Sequence, residues 1–190
     1  DSYRAGKEAV AEDLKGYGMF DALSDYGFYE QGLVQQPVCG LNHIAPFLKA
    51  REEGKGLEKL WGYYCVGQPQ KVTNRFIVQP GYRTRVLGVQ MYKYELAGFL
   101  QWGYNFYNSA FSLHPIDPYR CTDADGAFPS GDPFVVYPGD DYQPVASLRF
   151  EIMREVMQDI RALRLLESKI GREQTLSLLE DAGEITFNTY

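Results

Sequence analysis

The stretch "GFLQWGYNFYNS", residues 98–109, joins an apolar segment to a run of aromatic and amide side chains. Its first three residues predict a buried strand, because a short continuous apolar run is typical of a strand covered on both faces. The rings that follow are interrupted by Asn105 and Asn108, which a core strand does not need. The stretch therefore predicts a strand that ends in a binding region, with flat apolar faces beside hydrogen-bonding groups.

Apolar runs of this kind alternate with helical periodicity along the rest of the chain. The predicted strands are the start of MFDALSDYGFY (19–29), LEKLWGYYCV (57–66), AGFLQW (97–102) and PFVVY (133–137). The predicted helices run from an N-cap at Ser2 to about residue 14, over 41–53, over 82–96, from an N-cap at Ser147 to about 166, and over 172–181. Alternating strands and helices predict right-handed crossovers and a parallel sheet.

The connections carry further information, because the long ones follow strands and the short ones precede them. Elaboration at the carboxyl ends of strands is typical of α/β barrels and open α/β sheets, which place their sites there. Four βα units make about half of an eight-unit barrel. We therefore expect one α/β domain over residues 1–190, with the architecture of half a (β/α)8 TIM-type barrel.

Composition excludes several classes of protein. The net charge is −6 and no basic cluster occurs, which argues against nucleic acid or an anionic membrane as a partner. No apolar run approaches the roughly 20 residues of a membrane-spanning helix. The three cysteines form no C-x-x-C pair, the two histidines form no H-E-x-x-H motif, and the phosphate-binding glycine loops are missing, so no metal or cofactor is predicted. TDADGAF (122–128) resembles the start of a calcium loop but lacks the distal Glu, which favours an Asx turn.

The residues at the predicted strand ends indicate the chemistry. A sugar has apolar C–H faces and a rim of hydroxyls, and a ring beside amides, carboxylates and Tyr hydroxyls suits both. The residues of this kind are Asp25, Tyr26, Trp61, Tyr63, Tyr64, Trp102, Tyr104, Asn105 and Tyr137, with Asn74-Arg75 and Ser130-Gly131-Asp132 in the long loops. Any single Tyr here is more typical of a packed core than of a binding site, whereas Trp102 with Asn105 favours carbohydrate binding. Arg149, in the first turn of its helix, either reaches a carboxylate at the barrel mouth or pairs with a neighbouring group, and the second role is favoured.

Five segments resemble the C-terminal half of proteins related to glycoside hydrolase family 123. They are DALSDYGFYEQGL (21–33), LWGYYCVGQ (60–68), NRFIVQPGYRTRVLGVQMYKYELAGFLQWGYNFYN (74–108), FPSGDPFVVYPG (128–139) and SLRFEIMREVMQDIRALRLLE (147–167). The resemblance covers residues 2 to 187 and implies the last four strands of a catalytic (β/α)8 barrel, in β-N-acetylgalactosaminidases. It places Asp25 and Tyr26 at strand five, Trp61, Tyr63 and Tyr64 on strand six, Trp102, Tyr104 and Asn105 at strand seven, and Tyr137 at strand eight.

The resemblance also implies a substrate-assisted, retaining hydrolysis, one of the exceptions to the scheme with two protein carboxylates. The 2-acetamido oxygen of the substrate is the nucleophile, and an adjacent Asp-Glu pair orients it and supplies the general acid. These 190 residues contain no Asp-Glu dipeptide, so we expect the pair upstream of residue 1 and the chain alone to be inactive. The implied partners are an N-acetylhexosamine-containing glycan and, to complete the barrel, the N-terminal half of the same protein or a second copy of the chain. The alternative is a non-catalytic carbohydrate-binding or assembly module.

Overall fold

The computed structural model describes residues 2–68 and 72–188, which divide into two compact units. The first unit comprises the chain up to residue 63 together with residues 96–100, and the second comprises residues 64–95 and the chain from residue 101 onward.

The first unit is built on a four-stranded parallel sheet. Its strands are β1 (Phe20–Leu23), β2 (Gln36–Gly40), β3 (Trp61–Tyr63) and β4 (Gly98–Leu100), and they lie side by side in the order β1-β2-β3-β4. Ala22, Val38, Trp61 and Gly98 align across the four strands. The prediction of an α/β fold with a parallel sheet is confirmed.

Three helices accompany this sheet: α1 (Ser2–Ala11), α2 (Tyr26–Glu30) and α3 (Ala45–Glu52). A short 3₁₀ turn, Leu41–His43, precedes α3. Helix α3 buries Phe47 and Ala50, while α1 is tied to β1 by polar contacts. Asp21 forms an ion pair with Lys7 and accepts a hydrogen bond from the Tyr3 hydroxyl at 2.7 Å.

The two faces of the sheet differ in how well they are covered. Side chains alternate along a strand, so Trp61 and Tyr63 share one face and Gly62 belongs to the other. A Cβ on Gly62 would lie 2.6 Å from Leu41, which shows how closely that face is packed. On the opposite face the ring of Phe20 lies 5.0 Å from that of Trp61, and Phe20 is 51% exposed.

The second unit is mainly helical. It contains α4 (Gly81–Arg85), α5 (Leu87–Lys93), the antiparallel strands β5 (Val136–Pro138) and β6 (Pro144–Ala146), α6 (Leu148–Ile170) and α7 (Arg172–Leu179). Helix α6 packs on α4 and α5. A Cβ on Gly88 would lie 2.9 Å from the carbonyl oxygen of Val156, so a glycine is needed where α5 crosses α6.

Polar contacts fix the start of α6 and the segment that follows α7. The Ser147 hydroxyl accepts a hydrogen bond from the backbone nitrogen of Phe150 at 3.2 Å, so its prediction as the N-cap of α6 is confirmed. Near the carboxyl end, Lys93 Nζ donates to the Ile185 carbonyl at 2.8 Å and contacts Glu180 at 2.7 Å. None of the helices in residues 2–68 and 72–188 has the length and apolar character needed to cross a membrane.

The strand predictions need two corrections. Strand β2 was not predicted, because QPVCG contains a proline and a glycine and is too short to show a period. The predicted strand 133–137 does not join the parallel sheet; its end forms β5, which pairs antiparallel with β6. Trp61 and Tyr63 consequently lie on the third strand of the sheet, and Tyr137 lies outside it. The predicted helix over 82–96 is interrupted at Val86, and the other predicted helices are found with small shifts at their ends.

Candidate functional site

The second unit holds the aromatic region that follows β4. Residues 104–106 run beside residues 133–136, because the nitrogen of Val135 donates to the Tyr104 carbonyl at 3.0 Å and Asn105 forms a bridge with Phe134. Gly103 makes this close approach possible, since a Cβ there would lie 2.4 Å from the carbonyl oxygen of Asp132. The backbone thus brings Trp102 next to Asp132.

Trp102 combines an exposed ring with a buried anchor. Its indole nitrogen Nε1 donates to Oδ2 of Asp132 at 3.1 Å. The ring is 41% exposed, while Asp132 is 0% exposed. Phe106 and Phe128 contact the ring edge to face, with centroid distances of 5.3 Å and 5.2 Å. An aromatic surface held in this way is preorganised to receive a flat apolar ligand face.

Arg75 supports the backbone below this ring. Its side chain is 1% exposed, and its Nη2 donates to the Asp132 carbonyl at 2.7 Å and to that of Gly103. The Gln101 amide satisfies its hydrogen bonds when its oxygen faces Arg75. The oxygen then accepts from Nη2 at 2.6 Å and from Nε at 3.0 Å, and the amide nitrogen donates to the Tyr64 carbonyl at 2.5 Å. The loop carrying Trp102 is therefore fixed to a buried polar network.

Burial dominates the electrostatics of this network. It lowers the pKa of Arg75 to about 10, against the attraction of Tyr64 and Asp132. It raises the pKa of Asp132, although Arg75 and the Trp102 hydrogen bond act in the opposite direction. It also raises the pKa of the fully buried Tyr64. Asp132 is therefore a costly anion, retained where it orients an exposed ring.

Arg149 closes the same loop from the other side. Its Nη1 donates to the carbonyls of Gly131 at 2.5 Å and Phe134 at 2.8 Å. Burial lowers the pKa of the Arg149 guanidinium, and the Tyr137 hydroxyl opposes this effect. Of the two predicted roles for Arg149, contact with neighbouring groups is the one found. It links the first turn of α6 to the backbone on both sides of Asp132.

The predicted site residues of the first unit have local partners. Asp25 caps α2 by accepting from the Gly27 nitrogen at 2.8 Å, and the Tyr26 ring meets Phe47 edge to face at 5.3 Å. Trp61 lies against β4, where a Cβ on Gly98 would be 2.3 Å from its ring. The Tyr63 hydroxyl lies 3.2 Å from that of Ser24, just beyond the end of β1. The carboxyl ends of β1 and β3 are thus joined by hydroxyl groups.

The predicted site residues of the second unit lie at different depths. Trp102, Tyr104 and Asn105 reach the surface, and Tyr104 meets Phe150 of α6 at a centroid distance of 6.0 Å. Tyr137 is half-buried and contacts Phe134 at 5.1 Å. Tyr64 has no exposed surface, so direct contact with a ligand would require the surrounding residues to move.

Comparison with known families identifies the chain. The family model described as "Glycoside hydrolase 123, catalytic domain" matches residues 1–166. The chain belongs to this family. The resemblance predicted from the sequence is therefore confirmed. A search of the curated proteins gave no match to this family 123 chain.

Sequence analysis of this family 123 chain did not name Gln101, and it gave Arg75 and Asp132 no role in positioning Trp102. Arg75 and Asp132 were recognised only as parts of long loops, and their contacts with residues 28 and 30 positions away leave no periodic signal. The sequence does carry one signal for Arg75 and Asp132: each is a charged residue beside an apolar run, in NRFIV and GDPFVV.

The other polar cluster considered in the family 123 chain is a turn. Oδ1 of Asp123 accepts hydrogen bonds from the Gly126 nitrogen at 3.0 Å and from Cys121 Sγ at 3.3 Å. A turn closed by the Asp123 carboxylate is therefore found, although its bond reaches three residues along the chain and an Asx turn reaches two. Across the parts of the chain that the structure describes, no group of three or more His, Cys, Asp or Glu side chains is placed to hold a metal ion.

Proposed function

We propose that the chain is the substrate-binding part of a glycoside hydrolase that acts on β-N-acetylhexosaminides, with β-N-acetylgalactosaminides as the preferred class. The observation that carries the proposal is the Trp102 ring, 41% exposed and fixed by its hydrogen bond to buried Asp132. A pyranose offers an apolar face that stacks on such a ring, and exposed Asn105, three residues along the chain, supplies an amide for its hydroxyls.

The proposed reaction is substrate-assisted and retains the anomeric configuration. The acetamide oxygen of the substrate attacks the anomeric carbon while a carboxylic acid protonates the departing glycosidic oxygen. Water then attacks the same carbon, and the carboxylate accepts its proton. In this scheme the chain holds the sugar so that the acetamide lies within reach of the anomeric carbon, which is the contribution of positioning to the rate.

The acid itself is proposed to come from outside these residues. The 190 residues contain no adjacent Asp and Glu, the pair expected to orient the acetamide and protonate the leaving group. Tyr26 directly follows Asp25, the N-cap of α2, and its hydroxyl is proposed to donate a hydrogen bond to the acetamide oxygen. Trp61 and Tyr63 are proposed to contact the sugar from β3.

The parallel sheet is proposed to be the second half of a (β/α)8 barrel. Four parallel strands that follow one another in chain order, β1-β2-β3-β4, support this assignment, because a barrel repeats that connection eight times. Strand β4 then takes the place of strand eight. The first half is proposed to come from the N-terminal half of the same protein or from a second copy of the chain.

The decisive experiment is an assay of the full-length gene product against aryl β-N-acetylgalactosaminide and aryl β-N-acetylglucosaminide. Hydrolysis of either, faster for the galactosaminide and lost when an adjacent Asp-Glu pair is mutated, is the expected result. The 190-residue chain alone should give no turnover. Glycan binding without hydrolysis by the full-length product would instead establish the alternative, a non-catalytic carbohydrate-binding module.

A further inference from the structure

A second aromatic side chain of the second unit is exposed and yet held in place. Tyr119 is 60% exposed, but its hydroxyl donates to the Pro138 carbonyl at 2.9 Å. Its backbone nitrogen donates to Oδ1 of Asp117 at 2.9 Å, which fixes the turn that carries it. Its ring lies 5.0 Å from that of Tyr137, at an interplanar angle of 35°. An exposed ring with so little freedom loses little entropy when a ligand covers it.

A group of partly or fully buried rings packs beside Tyr119. Tyr137 meets Phe134 edge to face at 5.1 Å, and Phe134 meets Tyr107 at 5.5 Å. The Tyr107 hydroxyl donates to the Val136 carbonyl at 2.8 Å. Phe106, the residue before Tyr107, contacts the Trp102 ring, as Phe128 does. Trp102 and Tyr119 thus belong to two groups of contacting rings, which are connected through the adjacent residues Phe106 and Tyr107.

The surroundings of Tyr119 suit a polar ligand with one apolar face. Asp117 and Arg120 lie on the same turn as an exposed pair, with 3.5 Å between Arg120 Nε and Asp117 Oδ2. These groups offer both acceptors and donors beside the ring. An apolar protein surface would have to remove water from the pair at a cost, whereas sugar hydroxyls replace that water with hydrogen bonds.

We propose that Tyr119 forms a second sugar subsite, which binds a pyranose remote from the one on Trp102. The proposal rests on the proposed function, since it takes the Trp102 ring as the first platform. It commits the protein to a glycan long enough to cover both rings. The subsite adds affinity for oligosaccharides and leaves single aryl glycosides unaffected.

The test compares variants of the full-length protein on an aryl β-N-acetylgalactosaminide and on oligosaccharides of increasing length that end in β-N-acetylgalactosamine. Tyr119→Ala should lower kcat/KM for the longest oligosaccharide about threefold to tenfold, mainly through KM, and leave the aryl glycoside unchanged. Tyr119→Phe, which keeps the ring and loses the anchoring hydroxyl, should give a smaller loss on the oligosaccharide alone.

Tyr142→Ala is the matched control. Tyr142 is 98% exposed, and within residues 72–188 its ring makes no aromatic contact and its hydroxyl no hydrogen bond. Tyr142→Ala should leave kcat/KM unchanged for both the aryl glycoside and the oligosaccharides. A Tyr119→Ala variant that affects both substrates equally, or neither, would overturn the subsite even if hydrolysis itself is established.

Titration calorimetry with the same oligosaccharides keeps the two proposals distinguishable. If the full-length protein hydrolyses nothing, the proposed function fails, but weaker oligosaccharide binding by Tyr119→Ala still supports the subsite. Equal binding by both proteins, or no binding by the unmutated protein, overturns it.

Discussion

The indole nitrogen of Trp102 and the carboxylate of Asp132, 30 residues apart in the chain, are joined by a hydrogen bond of 3.1 Å. The donor belongs to a ring that faces solvent, and the acceptor belongs to a side chain without exposed surface. A surface tryptophan would otherwise sample several rotamers. The carboxylate selects one of them. The backbone of Asp132 is in turn held by Arg75, which donates to the Asp132 carbonyl, and by Arg149, which donates to the Gly131 carbonyl.

Trp102→Ala should separate binding from stability. If the ring supports a sugar, kcat/KM of the full-length enzyme should fall about tenfold to a hundredfold. Because the ring is only partly buried, the loss of stability should stay below the roughly 3–5 kcal/mol typical of a fully buried tryptophan. Kinetics and melting temperature on the same protein measure both. Phe111→Ala, at a far more exposed ring of the same unit, should change neither, and an unaltered kcat/KM in Trp102→Ala would leave Trp102 with a packing role only.

Asp132→Asn should reveal the cost of burying the carboxylate. Burial holds the pKa of Asp132 in the folded protein above its value in the unfolded chain, about 3.9. The stability that such a group contributes is fully present below the unfolded pKa and is lost as the pH rises through the folded pKa. The melting temperature of the unmutated protein, relative to that of Asp132→Asn, should therefore fall as the pH rises above about 4.

Asp21→Asn is the control with the opposite sign. Burial raises the pKa of Asp21, but hydrogen bonds from Lys7 and Tyr3 outweigh this and lower it overall. Its contribution to stability is lost as the pH falls through the lowered pKa. In thermal melts the stability difference for Asp21→Asn should stay constant above about pH 4 and shrink as the pH falls below it, whereas the difference for Asp132→Asn should change as the pH rises above about 4. A gap for Asp132→Asn that instead widens in favour of the unmutated protein with rising pH would mean that Arg75 stabilises the anion more than burial opposes it.

Gly98→Ala should destabilise the sheet by about 1–3 kcal/mol, as overpacking does. The added Cβ would lie 2.3 Å from the Trp61 ring on the adjacent strand, and the ring would have to move. Gly6→Ala, in α1 with no atom within 4 Å of the new methyl group, should instead stabilise by about 0.5–1 kcal/mol. Chemical denaturation measures both. Equal effects at the two sites would contradict the packing of Trp61 on β4, whereas relief of the Gly98→Ala defect by Trp61→Leu would support it.

The 190-residue chain on its own should associate in solution. Strands β1 and β4 are the outer strands of the described parallel sheet, and unpaired strand edges template association. Phe20 on β1 adds an exposed ring on the less covered face. Light scattering over a range of concentrations should show a mass above that of one chain. Phe20→Lys should reduce this mass. Val78→Lys, which replaces an exposed apolar residue of the other unit, should leave it unchanged. A dispersed monomer at all concentrations would count against the half-barrel proposal.

Local patterns were enough to predict most of the helices and three strands of the sheet. The cap at Ser147 and the three- to four-residue period after it specify α6 directly, because both signals lie within the segment. Segment 133–137 was assigned to the parallel sheet because an apolar run reads alike whether its partner is a sheet, a hairpin or a helix. Only the pairing partner distinguishes these cases. The partner of β5 is β6, and its sequence, Pro144–Ala146, is not typical of a strand.

The site was predictable to the extent that it depends on residue type. Trp102 with Asn105 stood out because an amide beside rings is rare in a strand. Its anchor did not stand out, since nothing near Asp132 in the sequence indicates an indole partner 30 residues earlier. Tyr64 shows the reverse limit: its neighbour Tyr63 has an identical side chain, but alternation along the chain leaves Tyr64 completely enclosed.

The order β1-β2-β3-β4 also bears on how the sheet is made during synthesis. Each strand pairs with the one before it, so β1, β2 and β3 can associate as soon as they leave the ribosome, through short loops with small closure entropy. Strand β4 is different, because residues 64–95 between it and β3 belong to the other compact unit. The edge of β3 therefore remains unpaired until those residues have been synthesised and β4 arrives. In this interval the nascent chain is most vulnerable to aggregation, and chaperone binding would be concentrated there.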